Sequence, residues 1–402
     1  MERKIEIDKK NMENKRILAL DILRGMTIAG MILVNTPGSW GHIYAPLRHA
    51  EWNGLTPTDL VFPFFMFIMG ISTYISLKKY HFTFSLQAAQ KIIKRTVLIF
   101  LIGMAIGWFS HFCYTLAYAP ADMSLGDRLW KAAWSFDTIR ILGVMQRLAL
   151  CYFATSILAL AVNHRRFPWI IVVLLGGYSV LLLTANGYAY DETNILSIVD
   201  RMLITPAHMY KDNGIEPEGL LSTLPAIAHV MLGFCVGRML LGEKQENKSR
   251  MEMLNQHILR LFLVGTVLTF AGFLLSYGLP LNKKIWSPTF VLTTCGLASS
   301  LLALLIWIID VKGYKRWTLF FESFGVNPLF LYVLSGVLSI LFDTIPLPWG
   351  EGTINIHTLL YTKFLGSFMN EINASLGYAI LFVCINWSIG YPLYKRRIYI
   401  KL

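Results

Sequence analysis

Runs of apolar residues long enough to cross a bilayer recur from one end of this 402-residue chain to the other. A helix needs about 20 such residues to span the hydrocarbon. The runs fall at 17–37, 57–77, 92–111, 138–161, 167–185, 220–241, 258–277, 287–309, 318–342 and 373–394. In lipid each run must satisfy its own backbone hydrogen bonds, so each predicts a helix. The expected fold is all-α, a polytopic bundle of about ten spans. Composition agrees: 55% of the residues are hydrophobic, 15% are charged and the mean hydropathy is +0.52. Soluble domains are nearer a quarter charged.

The net charge of +12 and pI near 9.4 would suggest a nucleic-acid partner in a soluble protein. Here the basic residues sit in short loops between apolar runs, so they report topology and no nucleic acid is expected. One alternate set of loops holds Lys78-Lys79, Arg165-Arg166, Lys244, Lys248, Arg250, Lys312, Lys315-Arg316 and Lys395-Arg396-Arg397. The other set (38–56, 112–137, 186–219, 278–286 and 343–372) is poor in Lys and Arg and carries Asp122, Asp127, Asp191, Glu192, Asp212, Glu216 and Glu218. Positive loops stay cytoplasmic. Both termini are therefore expected in the cytoplasm, as tails 1–16 and 395–402 of a single transmembrane domain, 1–402. No cleaved signal peptide, internal repeat or long linker is evident. Cys113, Cys151, Cys235, Cys295 and Cys384 lie scattered in or beside apolar runs with no metal-ligand spacing, so no metal is expected.

Charges at bilayer depth cost about 2.5–3.5 kcal/mol on insertion scales and usually have a partner or a task. Asp21 and Arg24, spaced i, i+3 in the first span, form either a self-neutralising pair or part of an anion site. Arg147 lies ten residues into the fourth span, near the expected midplane, with Gln146 before it and Arg140 two turns above. It is either half of a structural ion pair with a carboxylate such as Asp21 or Asp59, or an anion ligand inside the bundle. Arg238 reads as an interfacial anchor. Asp59, behind Pro57 at the head of the second span, is either a carboxylate serving the helix dipole or an active-site group.

The first outer loop carries the most chemistry. It reads Asn35-Thr36-Pro37-Gly38 and then Arg48-His49-Ala50-Glu51-Trp52-Asn53-Gly54-Leu55-Thr56. A histidine among Asn, Trp and an acidic residue at the membrane surface is a candidate base or nucleophile, or a solvated loop side chain. This block runs into Asp59-Leu60-Val61-Phe62-Pro63 and Phe67-Ile68-Met69-Gly70. With Asp21-Ile22-Leu23-Arg24-Gly25, Asn35, Arg140, Gly143-Val144-Met145-Gln146-Arg147-Leu148, Glu216-Pro217-Glu218-Gly219-Leu220-Leu221, Pro280-Leu281-Asn282-Lys283-Lys284-Ile285-Trp286-Ser287, Asp310-Val311-Lys312-Gly313 and Asn327-Pro328-Leu329, it resembles the heparan-α-glucosaminide N-acetyltransferase family nearly end to end. A looser similarity links the first span to the acyltransferase-3 membrane enzymes. Those place an arginine and a histidine eleven positions apart, where Arg24 and Asn35 stand here.

The resemblance implies that cytoplasmic acetyl-CoA delivers its acetyl group across the membrane to a glucosamine amine, on a free amino sugar or a glycan such as heparan sulfate. It implies His49 as the active-site histidine with Asn35 beside it, no metal, and a homodimer in a bacterial plasma membrane. In that scheme Arg24, Arg140, Gln146 and Arg147 would hold acetyl-CoA. His49 would act as base or as an acetyl-carrying nucleophile, Asp59 would orient it, and Asn35 and Asn53 would donate to the oxyanion. Trp52, Asn53, Glu218, Asn282, Lys283 and Trp286 would meet the acceptor. Trp52 and Trp286, inside matched blocks, would stack on the sugar or close a gate, the alternative being the interfacial aromatic belt where Trp349 is placed; the alternative for Lys283 is a helix cap and for Glu218 a helix N-terminus. The rival function is a secondary carrier of a small anion or sugar, which also uses intramembrane charges, though such folds show two related halves and none is visible here.

Overall fold

The structure is a computed structural model and describes residues 17–120, 122–134, 136–242 and 249–400. The tail 1–16, residues 401–402, Lys244 and Lys248 lie outside the described residues. The helices are α1 (Leu18–Asn35), α2 (Val61–Lys78), α3 (Leu86–Ala117), α4 (Leu125–Ala133), α5 (Val144–Ala161), α6 (Phe167–Thr184), α7 (Ile195–Leu203), α8 (Leu220–Leu241), α9 (Arg250–Leu275), α10 (Pro288–Leu305), α11 (Thr318–Val326), α12 (Pro328–Thr344) and α13 (Glu371–Lys395). Among the described residues nine helical stretches are long and apolar enough to cross a membrane, and ten if the bent pair α11–α12 counts as one. The protein is an integral membrane helix bundle. The sole sheet among the described residues is a hairpin, β1 (Pro346–Trp349) with β2 (Gly352–Asn355).

The expected ninth span, 318–342, is not straight: it bends by 88° between α11 and α12. Pro328 lacks a backbone donor and disfavours helical dihedrals at Asn327, which sits at φ −123°, ψ 54°. The Asn327 amide is buried and ties down the chain's end, donating to the Ile398 carbonyl (2.8 Å) and accepting from Ile400 N (2.8 Å). The fourth span also begins later than expected, at Val144 rather than 138. Residues 139–143 have no regular structure, so Arg147 lies one turn from a helix end and not ten residues deep. The third helix is longer than expected, 32 residues, about 48 Å at 1.5 Å per residue.

Central helices α1, α2, α5, α8 and α10 carry the core, whereas α3, α6 and α9 turn Leu101, Val173, Phe270 and similar side chains outward, the arrangement expected of lipid-facing helices. Close helix packing in a bilayer relies on small residues. Gly70 on α2 and Gly233 on α8 meet backbone to backbone: a Cβ on Gly70 would lie 2.1 Å from the Val230 carbonyl oxygen, and one on Gly233 the same distance from that of Phe67. The half-buried Asp310 side chain, at the end of the π-type turn Ile306–Val311, accepts from Ala19 N (3.2 Å) and so caps α1.

Candidate active site

Asp59 sits on a one-turn 3₁₀ helix, Pro57–Leu60, ahead of α2 and is fully buried. One carboxylate oxygen accepts from Ala50 N (3.1 Å), Thr56 N (3.2 Å) and Thr56 Oγ1 (2.9 Å), which closes a capping box. The other lies 2.7 Å from His49 Nδ1. A contact that short between a carboxylate and a ring nitrogen needs a proton between them. The hydrogen therefore sits on Nδ1, which leaves the lone pair of the neutral ring on Nε2. Asp59 is thus both a helix-end carboxylate and the hydrogen-bond partner of His49. Lys283 Nζ stands 3.3 Å from the same Asp59 oxygen and 3.0 Å from His49 Nδ1. Burial pulls the Lys283 ammonium below the ordinary lysine range, opposed by the charges of Asp59 and Glu218.

Two loops are stitched together around this group. Gly54 adopts φ +127°, a conformation open to glycine, and its N–H reaches the Leu281 carbonyl at 2.7 Å. Asn282 is fully buried; its Nδ2 donates to Asn53 Oδ1 (3.2 Å) and its Oδ1 accepts from Ile285 N (3.1 Å). The Trp52 indole donates to the Tyr188 carbonyl (2.8 Å) and stacks on Tyr190 at 4.4 Å, while Lys284 joins Tyr190 and Asp212 (2.7 Å). Trp286 is 1% exposed, wedged edge-on against Phe62 and Phe290. Of the residues nominated for the acceptor, Asn53 alone is well exposed. Trp286 and Asn282 are walls of the cap.

The arginines separate. Arg140 projects from the irregular 139–143 stretch and is gripped by Glu216, through Nε at 3.1 Å and a shorter Nη2 contact, and by Glu218 at 2.6 Å. Burial works against its charge. The two carboxylates outweigh that and hold its pKa above the ordinary value. Arg147 is fully buried, bonds to the Gly219 carbonyl (3.2 Å) and Ser222 Oγ, and lies over the Trp286 ring at 5.1 Å. Its Nε and Nη1 have no hydrogen-bond partner, and among the described residues no carboxylate pairs with it, neither Asp21 nor Asp59. Arg24 is engaged by Asp21 (3.0 Å), Ser72 (2.9 Å) and the Gly325 carbonyl (3.3 Å).

A file of cavities runs through the bundle. On the side of the basic loops, a chamber of about 250 Å³ is lined by Arg24, Ser72 and Arg95. It shares Phe65, Leu148 and Leu329 with a waist of about 10 Å³, room for roughly one water. The waist shares Val144 and Tyr332 with a middle chamber of about 380 Å³ that holds Asn35, Arg140 and Gln146. That chamber shares Asn35, Thr36 and Ser339 with an outer vestibule of about 530 Å³, on the face opposite the basic loops. Arg24, Arg140, Gln146 and Asn35 thus line successive cavities of one file. His49 and Arg147 are not among its lining residues.

The profile of the heparan-alpha-glucosaminide N-acetyltransferase catalytic region matches residues 16–274. The chain belongs to this family. The matched stretch carries α1 to α9, and with them the His49–Asp59 pair and the Arg140 grip. Curated relatives in the family include the heparan-alpha-glucosaminide N-acetyltransferases of Homo sapiens and Mus musculus, 26% and 27% identical over 442 aligned positions that cover 96% of this chain. The chain spans about 60% of the length of these relatives.

Several lining residues escaped the sequence reading. Arg95 has a buried Nε without a partner and lies over Tyr152 at 4.7 Å. Its signal was Lys94-Arg95 breaking into an apolar run. Asp343 and His357 line the vestibule, and no motif marks them, because the chain folds back through the hairpin to bring them together.

Proposed function

We propose that the protein transfers the acetyl group of acetyl-CoA, drawn from the cytoplasm, to the amine of a glucosamine residue on the far side of a bacterial plasma membrane. The file of cavities carries this reading. A charged nucleotide has a basic chamber on the side of the Lys/Arg-bearing loops, and only a thin chain could pass the apolar waist toward Asn35. Arg24 and Arg95 offer charge-assisted donors to phosphates. The pantetheine arm would thread past Phe65 and Leu329, which must turn aside. Arg140 and Gln146 would hold it in the middle chamber.

His49, with its proton held on Nδ1 by Asp59, offers Nε2 to the acceptor's ammonium. The freed amine nitrogen attacks the thioester carbon, the C–S bond breaks, and the CoA thiolate leaves and takes the second proton that the nitrogen sheds as the amide forms. Each amide donor to the oxyanion, with Asn35 on the path and Asn53 exposed near His49, is typically worth about 3 kcal/mol. The 36–48 connection must bring Nε2 to the Asn35 end of the path. Lys283, 3.0 Å from Nδ1, keeps positive charge beside the pair. The alternative order, with acetyl first carried on Nε2, uses the same groups.

Purified protein in detergent, given acetyl-CoA and glucosamine, should release CoA thiol only when both are present, and His49→Ala should abolish release while retaining acetyl-CoA binding. Substrate uptake into liposomes without thiol release would overturn the enzyme in favour of a carrier.

A further inference from the structure

The outer vestibule has the walls of a sugar site. It lies between residues 35–40, Tyr114 of α3, the end of α12 and the π-helical segment Leu359–Phe364. π-Type turns inside helical segments are frequent at functional sites. Asp343 stands partly open to the cavity. One of its oxygens accepts from Tyr114 OH (2.7 Å) and the other is 3.3 Å from His357 Nδ1. The opposite nitrogen of His357 donates to the Gly38 carbonyl (3.0 Å), and the ring lies parallel to Tyr361 at 5.9 Å and 10°. Trp40 is 65% exposed and also lines the vestibule. Ser339, one helical turn before Asp343, belongs to both the vestibule and the middle chamber. Residues i and i+4 share a helix face at about 5–6 Å, so a ligand held by Asp343 sits one turn from the chamber that Asn35 overlooks. Trp286 and Asn282, by contrast, are sealed in the cap.

We propose that this vestibule is the acceptor subsite, holding an amino-sugar ring against Tyr361 and Trp40 with its ammonium directed to Asp343. The proposal rests on the transfer reading for its biological meaning. The site itself is defined by a carboxylate, a histidine and aromatic faces around a polar cavity of sugar size. A carboxylate selects the amine over a hydroxyl, and the aromatic faces take the apolar faces of the pyranose.

The test is equilibrium binding of radiolabelled glucosamine to the detergent-purified full chain, without acetyl-CoA, with glucose as the uncharged comparison. Asp343→Asn should weaken glucosamine binding about ten- to a hundredfold, the range of a charge-assisted hydrogen bond, and leave glucose and acetyl-CoA binding unchanged. Its KM for glucosamine should rise by a similar factor with a smaller change in kcat. Trp40→Ala, a change at an exposed position that the fold does not need, should weaken both sugars. Wild-type glucosamine affinity in both variants overturns the subsite, as does an Asp343→Asn variant whose glucosamine, glucose and acetyl-CoA binding all fall together. If wild-type protein binds glucosamine through Asp343 yet releases no CoA, the transfer reading fails and the subsite stands.

Discussion

Replacing Asp59 by Asn separates orientation of His49 from its mere presence. One Asp59 oxygen accepts three donors, from Ala50 N and from the amide and hydroxyl of Thr56; the other faces His49 Nδ1 at 2.7 Å and Lys283 at 3.3 Å. An asparagine must keep its oxygen on the three-donor side. Its NH₂ group then points at His49 Nδ1, which can accept only if the ring proton moves to Nε2. The base loses its lone pair where the substrate needs it, while the ring stays in place. General-base assistance is worth about 10²–10⁴-fold, and the expected loss in kcat falls in that range. The capping bonds survive, but the Lys283 ion pair is lost with the His49 contact, so destabilisation should exceed the 1–3 kcal/mol or so of one compromised buried hydrogen bond. Amine-dependent CoA release with thermal unfolding and acetyl-CoA binding in parallel measures all three. A folded Asp59→Asn protein with wild-type turnover would refute the assignment of Nε2 as the base.

Three further changes probe the path and the fold. Met31→Trp fills the waist from a residue that lines neither neighbouring chamber and should stop thiol release while acetyl-CoA still binds the basic chamber; undiminished release would mean the acetyl group travels elsewhere. Arg95→Gln should weaken acetyl-CoA binding about tenfold or more by loss of a charge-assisted donor, measured by titration; unchanged affinity would remove Arg95 from the nucleotide chamber. Asp200 is fully buried with one oxygen unpartnered, and burial, helped by Glu216, raises its pKa to about 6. The folded state therefore holds this proton more tightly than the unfolded chain does. That contribution is complete below the unfolded pKa of about 4 and is lost as pH rises through about 6. Asp200→Asn should thus melt higher than wild type near pH 8, with the advantage gone near pH 4. A pH-independent difference in Tm would contradict the buried-carboxyl account.

The membrane fold was legible because hydropathy acts locally: each run of about twenty apolar residues must be a helix wherever its neighbours lie. The break at Asn327-Pro328 could have been read as well, since proline's missing donor is a property of the sequence, yet the surrounding apolar run hid it. Arg147 lies shallower than its place in the run suggests, because residues 138–143, apolar but for Thr138 and Arg140, continue the hydrophobic run yet serve as an irregular lead into α5. The sequence placed His49 and Asp59 in one motif ten residues apart, and the structure joins them directly.

Other outcomes were fixed only when distant segments met. Arg140 and Arg147 look alike on paper. One is clasped by Glu216 and Glu218, more than seventy positions away; the other is sealed with no carboxylate partner among the described residues. Trp286 and Asn282 look like surface groups in a loop, and become interior packing once Gly54 draws the two loops together. Asp343, His357 and Tyr361 share a cavity with Asn35 solely because the chain turns back through a hairpin to meet the end of the first helix. Local hydrophobicity sets which segments enter the lipid. Which polar groups face one another depends on long-range helix packing, and no single stretch of residues encodes that.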